Sequence, residues 1–450
     1  MNYDIKVGFS RVNITPPLGI NVSGYYIKRI ADGVLDELEI NCIAINKNDK
    51  IVVLLAVDTI AFSTKYVTKA KLNIAKELNL PPESIFIHST HIHTGPRAGF
   101  DNTLTDIEKE YNDMLLRKLV DSAKMAVEDL KPAKMGYAVS QAKKVAFNRR
   151  YLMKDGSFKT NPGVNNPDIV KSAGLMDESV NVLRFNRECG DNIVLINFGN
   201  HPDCIGGNKI SADWPGFTRR IFEKTFDETK CLLFNGAEGD INHVNVAPKG
   251  GDFNDMFNDF DDVSRGYGHS RHIGNVMAAS AMQVYDKVEY VDVDNIKYTQ
   301  KFISIPSNMP NPDEMEEAYY IKKMHDEGRD SELPYKGMYL TTMVAGASRK
   351  IQLEHGPDSF PLLLSVITIG KVALVGIPGE PFCGIGLGIK ESKNYDMICP
   401  CCLTNGDEGY FPMKDSFDEG GYESQASLFK SGVAEIIIEE GLKLLDDLRN

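Results

Sequence analysis

Four short apolar runs constrain this chain more than any other feature. Each is stopped by a loop rich in glycine or proline that carries His, Asp or Glu. Residues 85–87 run into a loop holding His88, His91, His93, Gly95 and Pro96. Residues 193–198 run into Gly199, His201 and Pro202, and 231–234 into Gly236, Glu238, Asp240, Asn242 and His243. Residues 372–375 run into Gly376, Pro378, Gly379, Glu380 and Pro381. An unbroken apolar run suits a strand covered on both faces. The end of such a strand is where α/β proteins set their reactive side chains. One loop of this kind means little, but four with metal-type side chains point to an enzyme.

The first loop is the richest, with three of the nine histidines at positions 88, 91 and 93. A His-x-His pair in extended backbone puts both imidazoles on one face. Neutral imidazole is the commonest side-chain metal ligand and the usual acid–base group near pH 7. Histidines that merely sit close together in a core or on a surface are the plain alternative, and the stretch alone does not decide between them.

The chain around these runs reads as mixed α and β. A strand over 5–9 is followed by an extended turn at 13–19, whose two prolines hold their neighbours out of helix. Strands over 38–45 and 51–57 flank a hairpin turn at 46–49. Ser63 can cap a helix with Val67, Ala70, Ile74 and Leu78 on its apolar face. With the strand at 85 this makes a βαβ unit of parallel strands and right-handed crossover. A long amphipathic helix carries Ile107, Tyr111, Leu115, Leu119, Ala123, Ala126 and Leu130, and stops at Lys131 and Pro132. Asn311, Pro312 and Glu314 start a helix that runs to about Asp326. A polar connection over 331–336, a strand over 360–369 and a closing amphipathic helix over 424–448 complete the reading. No repeat, low-complexity tract or interdomain linker interrupts it. The expectation is one α/β (α+β) domain over residues 1–450, a large mixed sheet flanked by helices, with the site in loops at strand C-terminal ends.

Charge and cysteine usage narrow the function. A net charge of −13 argues against nucleic acid and anionic membrane surfaces as partners. No apolar run approaches the roughly 18 residues of a membrane anchor, and the N-terminus has no apolar signal core. The eight cysteines form no Cys-x-x-Cys framework, so reduced thiols and a cytoplasmic location are expected. The cluster Cys399, Cys401 and Cys402 has no second ligand cluster beside it. A small-molecule substrate is the expected partner, and a homo-oligomer is compatible with the sequence.

From Val7 to about Glu423 the chain resembles the catalytic domain of the neutral/alkaline non-lysosomal ceramidase family, in the manner of a distant bacterial branch. The residues that carry the resemblance run from Val7 to Pro17 and from Thr90 to Pro96. They continue with Asn148 and Arg149, His201, Gly239 and Asp240, Pro378 to Glu380, Tyr410 and Tyr422. The resemblance implies one zinc ion held by His91, His201, Glu380 and Tyr410. It also implies substrate binding or polarisation by His93 and Arg149, and a substrate contact by Tyr422. Asp213 matches a family acid and would orient His201 or substrate, or cap a helix. Asn242 and His243 complete the candidate substrate contacts. Zinc takes nitrogen and oxygen ligands tetrahedrally and keeps a position open for catalysis. A tyrosine, with a reference pKa near 10, binds as phenolate only where the metal lowers that pKa.

Two departures bear on mechanism. Asn242 stands where the family has a serine and cannot be a nucleophile, so attack falls to a zinc-activated water. No counterpart of the family's immunoglobulin-like C-terminal domain is expected within the chain. Two readings follow. One is a zinc-dependent hydrolase cleaving an amide (N-acyl) or related acyl bond of a small, polar substrate. The other is a catalytically silent, metal-containing binding or scaffold protein of the same fold.

Overall fold

The apolar runs become strands paired on both sides or at the edges of two sheets. The computed structural model describes residues 3–100, 104–250 and 266–449. Among the described residues the larger sheet has nine strands. Eight follow the order Thr229–Asn235, Asn192–Phe198, Ser179–Arg187, Lys131–Gln141, Ile5–Asn13, Glu39–Lys47, Lys50–Val57, Ile85–Ser89. The ninth, Glu289–Val291, pairs with Lys131–Gln141. Pairing along the path is antiparallel except at its two ends. There Lys50–Val57 runs parallel to Ile85–Ser89, and Asn192–Phe198 parallel to Thr229–Asn235. Parallel neighbours need a crossover, and helices Thr64–Leu78 and Asp213–Thr225 supply the two. The first starts where the sequence places it: Ser63 accepts from the Tyr66 amide, and Val67, Ala70 and Ile74 are buried.

The two edges of this sheet meet. The Asn235 N–H donates to His88 Nε2 at 2.9 Å, joining strand ends 147 residues apart. Residues 402–405 are stitched between them, with Cys402 N on Asn235 O (3.2 Å), Ser89 N on Leu403 O (3.1 Å) and Asn405 N on Ile87 O (2.9 Å). Those residues continue the last strand of a second sheet, ordered Ile296–Pro306, Ser359–Ile369, Val372–Gly376, Met397–Cys401, whose final pair is again parallel. One face of each sheet shares a core, with Ile43, Leu54, Leu195 and Leu232 against Ile367, Leu374 and Cys399. Helices cover the outer faces. Thr64–Leu78 and Asp106–Glu128 lie over one part of the larger sheet, Asp213–Thr225 and Tyr267–Tyr285 over another, and Val433–Arg449 over the smaller sheet. The layers therefore run helix, sheet, sheet, helix, and three parallel strand pairs end in one region.

Several expected elements change. The closing helix over 424–448 is two helices, Tyr422–Ala426 and Val433–Arg449. Between them the chain leaves the helix so that Ser427 Oγ donates to the Tyr410 carbonyl (2.9 Å), and Gly432 takes φ 103°. The second long helix ends at Glu128 rather than Leu130, because Lys131 already belongs to a strand. The helix from Asn311 opens as a 3-10 turn, Pro312–Glu314, and continues as Met315–Asp326. The connection over 331–336 is followed by a helix not foreseen, Gly337–Leu353. No helix among the described residues is long and apolar enough to cross a membrane.

Candidate metal centre

The loop after Ile85–Ser89 is not extended. His91 adopts a left-handed φ of 70°, pinned by His91 N on Thr59 O and His93 N on Pro202 O, both 3.0 Å. This turn, rather than strand alternation, brings the His91 and His93 rings edge-on at 4.9 Å, with their Nε2 atoms 3.3 Å apart. His88 stands apart from them. It is fully buried, its Nδ1 donates to the Cys402 carbonyl (2.7 Å), and its ring stacks on Phe234. Burial lowers its pKa to about 3, so it is a neutral pin between the sheet edges.

Backbone carbonyls fix how the next two imidazoles present themselves. His91 Nδ1 lies 3.0 Å from Ile60 O, and His201 Nδ1 lies 2.9 Å from both Glu238 O and Ile241 O. A carbonyl on Nδ1 keeps the proton there and turns the Nε2 lone pair inward, the arrangement of metal-bound histidines. Both Nε2 atoms face Glu380 Oε2, at 3.4 Å from His91 and 3.1 Å from His201. Glu380 follows Val372–Gly376 and pairs in parallel with Tyr410 in a two-residue ladder. The Glu380 loop touches the Glu238 loop closely enough that a Cβ on Gly239 would sit 2.5 Å from the Glu380 carbonyl oxygen. Only glycine allows that approach.

The fourth member of the group, Glu238, was missed as a ligand by the sequence reading. His91, His201, Glu238 and Glu380 place one ligand atom each within 4.8 Å of one another, all in buried side chains. Glu238 is wholly buried and neither carboxylate oxygen has a hydrogen-bond partner. Its Oε2 lies 2.7 Å from His201 Nδ1, whose N–H is directed at the backbone carbonyls instead. Buried carboxylates without donors are costly unless paired or bound to a metal. The two imidazoles and two carboxylates are a donor set suited to zinc. Burial opposes charging of these histidines, yet the carboxylates raise His91 and carry His201 to about 10. The same field favours any cation placed among them.

The other expected site residues divide into two groups. His93, Tyr410 and Tyr422 line a cleft of about 1030 Å³, as do His91 and Glu380. The Nδ1 of His93 has no hydrogen-bond partner and lies 3.7 Å from Asp203 Oδ1. Tyr25 donates to that same carboxylate oxygen. Burial and the Glu380 carboxylate push the Tyr410 phenol well above its usual value, with Arg149 pulling the other way. Arg149 is buried behind this wall. Its Nε donates to Glu423 (2.6 Å), and its Nη2 to the Gly239 carbonyl (2.7 Å) and the Tyr410 hydroxyl (3.2 Å).

Asp213, Asn242 and His243 do not line that cleft. The Asp213 carboxylate is saturated by the amides of Cys204, Ile205 and Trp214 and by Ser270 Oγ, so it fastens the chain just after His201. Asn242 donates to Asn161 Oδ1 and accepts from the Val244 amide, holding a short ladder. The His243 ring packs edge-on against His269.

The profile described as neutral/alkaline non-lysosomal ceramidase, N-terminal, matches residues 5–238. No curated protein sequence matches the chain. Two solved structures are similar in fold. Neutral ceramidase from Pseudomonas aeruginosa is 16% identical with a TM-score of 0.74, over 99% of this chain and 74% of that one. A ceramidase complexed with C2 is 15% identical with a TM-score of 0.73, over 99% and 75%.

Proposed function

Since the chain belongs to the neutral/alkaline non-lysosomal ceramidase family, we propose that it is a zinc-dependent hydrolase cleaving an amide or related acyl bond of a small substrate. The observation that carries this reading is the convergence of His91, His201, Glu238 and Glu380 within 4.8 Å beside a large cleft. His91, His201 and Glu380 would hold the ion, joined by Glu238, and by Tyr410 as the family resemblance implies. When bound, zinc lowers the pKa of a coordinated water to about 7 and polarises the scissile carbonyl.

The chain's own residues supply the rest. His93 sits at the cleft wall against His91 with a free Nδ1, placed to move a proton from attacking water to the leaving amine. Arg149 donates to the Tyr410 oxygen and favours its ionised form, the form in which it would serve as a ligand. Tyr422, edge-on to Tyr410 with ring centroids 5.5 Å apart, contacts the leaving portion. Asn242 spends its side chain on Asn161 and Val244, which fits a direct attack by water without an acyl-enzyme.

The test joins metal content to turnover. Purified protein should carry one zinc per chain and hydrolyse members of a panel of N-acyl compounds and esters. A chelator should abolish the activity and added zinc restore it. A protein that takes up no metal sinks the reading. A zinc-loaded protein inert to the whole panel favours a binding protein of the same fold.

A further inference from the structure

Arg97 follows the metal-site loop by four residues and lies in a two-residue strand, Arg97–Ala98, paired in parallel with Ala61–Phe62. The same segment orients His91. Ile60 gives its carbonyl to His91 Nδ1 and its amide to the Pro96 carbonyl, while Thr59 Oγ1 also donates to Pro96 O (2.6 Å). Arg97 is thus built on the backbone that builds the centre. Its side chain lines the cleft that His91, His93 and Glu380 also line. The guanidinium lies over Phe100, 3.5 Å from the ring centroid, which fixes its plane. Among the described residues it makes no hydrogen bond and no ion pair, although it is exposed to the cleft.

Apart from Lys28, an exposed cation whose flexible stem no aromatic ring holds among the described residues, the other charged groups of the cleft outside the metal centre are already engaged. Glu108 closes the capping box at Thr105, Glu408 accepts from Thr64, and Arg349 spends Nε and Nη1 on the carbonyls of Gln425 and Asn308. Asp407 accepts from the Gly409 amide (3.0 Å), and its electrostatic influence reaches both Arg97 and Glu380. Arg97 is therefore a planar cation held ready, with five donors and no acceptor, in the cleft that the metal-site residues also line. An apolar rim faces the same cleft: Tyr26, Ile27 and Ile30 are 42%, 62% and 40% exposed.

We infer that Arg97 is a specificity-determining residue that binds an anionic carboxylate on the substrate, making the preferred substrates N-acyl amino acids whose acyl chain lies along Tyr26, Ile27 and Ile30. This rests on the hydrolase reading above and names its substrate class. Hydrolysis would release a fatty carboxylate and a free amino acid, water adding to the carbonyl carbon as the C–N bond breaks and the amine takes a proton. A planar guanidinium fork recognises a carboxylate bidentately, which a neutral amide of the same shape cannot match.

The experiment compares N-octanoylglycine with N-octanoylethanolamine, its neutral near-isostere, on zinc-loaded wild type, Arg97→Gln and Arg97→Lys. Turnover gives kcat/KM, and calorimetric titration of the same compounds gives affinity without turnover. The wild type should favour the anionic compound by roughly 10- to 100-fold. In Arg97→Gln the anionic compound should lose at least tenfold more than the neutral one, with Arg97→Lys between. Arg97 has no internal hydrogen bond or ion pair to lose, only the exposed stack on Phe100, so both variants should melt close to the wild type. Equal preference in the wild type, or equal losses in the variant, overturns the inference while leaving a hydrolase standing. Arg97-dependent binding without hydrolysis of either compound overturns the hydrolase reading and leaves the carboxylate site standing.

Discussion

Replacing Glu238 by glutamine should weaken the metal-loaded protein far more than the metal-free one. Glu238→Gln keeps the shape and removes one charge. In the metal-free protein that charge is buried, has no hydrogen-bond donor and lies near a second carboxylate, Glu380. Its largest effect there is to raise the pKa of His201, which then carries the compensating proton, so removing Glu238 trades a desolvation cost of roughly 1–3 kcal/mol against a lost ion pair. Chelator-treated Glu238→Gln should therefore lie close in stability to chelator-treated wild type. In the loaded protein the same change deletes a charged ligand. Loss of an outer-shell partner typically costs 10- to 100-fold in metal affinity, so loss of a ligand should cost 100-fold or more. Stabilisation by a bound ion is about 2.7 kcal/mol when free metal is 100 times Kd. Over a zinc titration, the melting-temperature gain should thus shrink by most of that amount at equal free zinc. Thermal melts with chelator and with buffered zinc measure both quantities, alongside Tyr410→Phe as the comparison for the other ligand. If Glu238→Gln weakens the metal-free protein and leaves the zinc-dependent gain intact, Glu238 is a structural partner of His201 and the reasoning fails.

Three further outcomes are expected. His93→Ala should retain zinc by elemental analysis and lose roughly 10²- to 10⁴-fold in turnover; loss of zinc would put His93 among the ligands. Asp58 receives Arg219 through two hydrogen bonds (3.0 and 2.5 Å) and also Thr90 Oγ1 and the Glu39 amide, all in the core beside His91. Asp58→Ala strands that guanidinium, with only Glu39 nearby, and should cost about 3–5 kcal/mol in urea unfolding; a loss below about 1 kcal/mol would mean the pair behaves as a surface one. Lys71 is buried on Gln300, and burial lowers its pKa to about 8 while Glu83 opposes the shift. From about pH 8 to the unfolded value near 10.4 the unfolded chain holds more protons, so stability should rise with pH by at most about 3 kcal/mol. Lys71→Met should flatten that slope and raise the melting temperature at pH 7, and a slope unchanged by the substitution would show that Lys71 keeps its charge in the fold.

The strands were legible because their burial is two-sided. Residues 193–198 and 231–234 are apolar at nearly every position, and both pair inside covered sheets. Ser63 and Asn311 were legible because caps act within three residues. The break at 427–432 was not, since Ser427 leaves the helix for a carbonyl 17 residues away. His-x-His geometry was misread for a similar reason. The strand rule assumes extended backbone, whereas the contacts of Thr59 and Pro202 hold His91 at φ 70°. Glu238 lay in one of the four loops picked out, but its burial and lack of donors exist only once the sheet edges join. The resemblance drew attention instead to position 242, whose side chain turns out to hold a local ladder.

The joining of the edges also explains why the centre lies where it does. An open sheet would leave the His91 loop and the His201 and Glu238 loops at opposite ends of an eight-strand path. His88 and Asn235 close that distance, and residues 402–405 fill the seam. The closure brings two carboxylates into a space where, among the described residues, no lysine contacts them, while Arg149 is engaged by Glu423, Gly239 and Tyr410. The fold can tolerate that concentration of negative charge in two ways. It can hold protons on His91 and His201, as their raised pKa values indicate, or it can hold a cation between them. Only the second leaves both Nε2 lone pairs free to act as ligands, which is the state their Nδ1 carbonyl contacts prepare. Binding a divalent ion must then release protons, so zinc affinity should rise with pH, and a zinc titration in lightly buffered solution should acidify it. Uptake of zinc without proton release would mean that the histidines are already neutral in the metal-free protein.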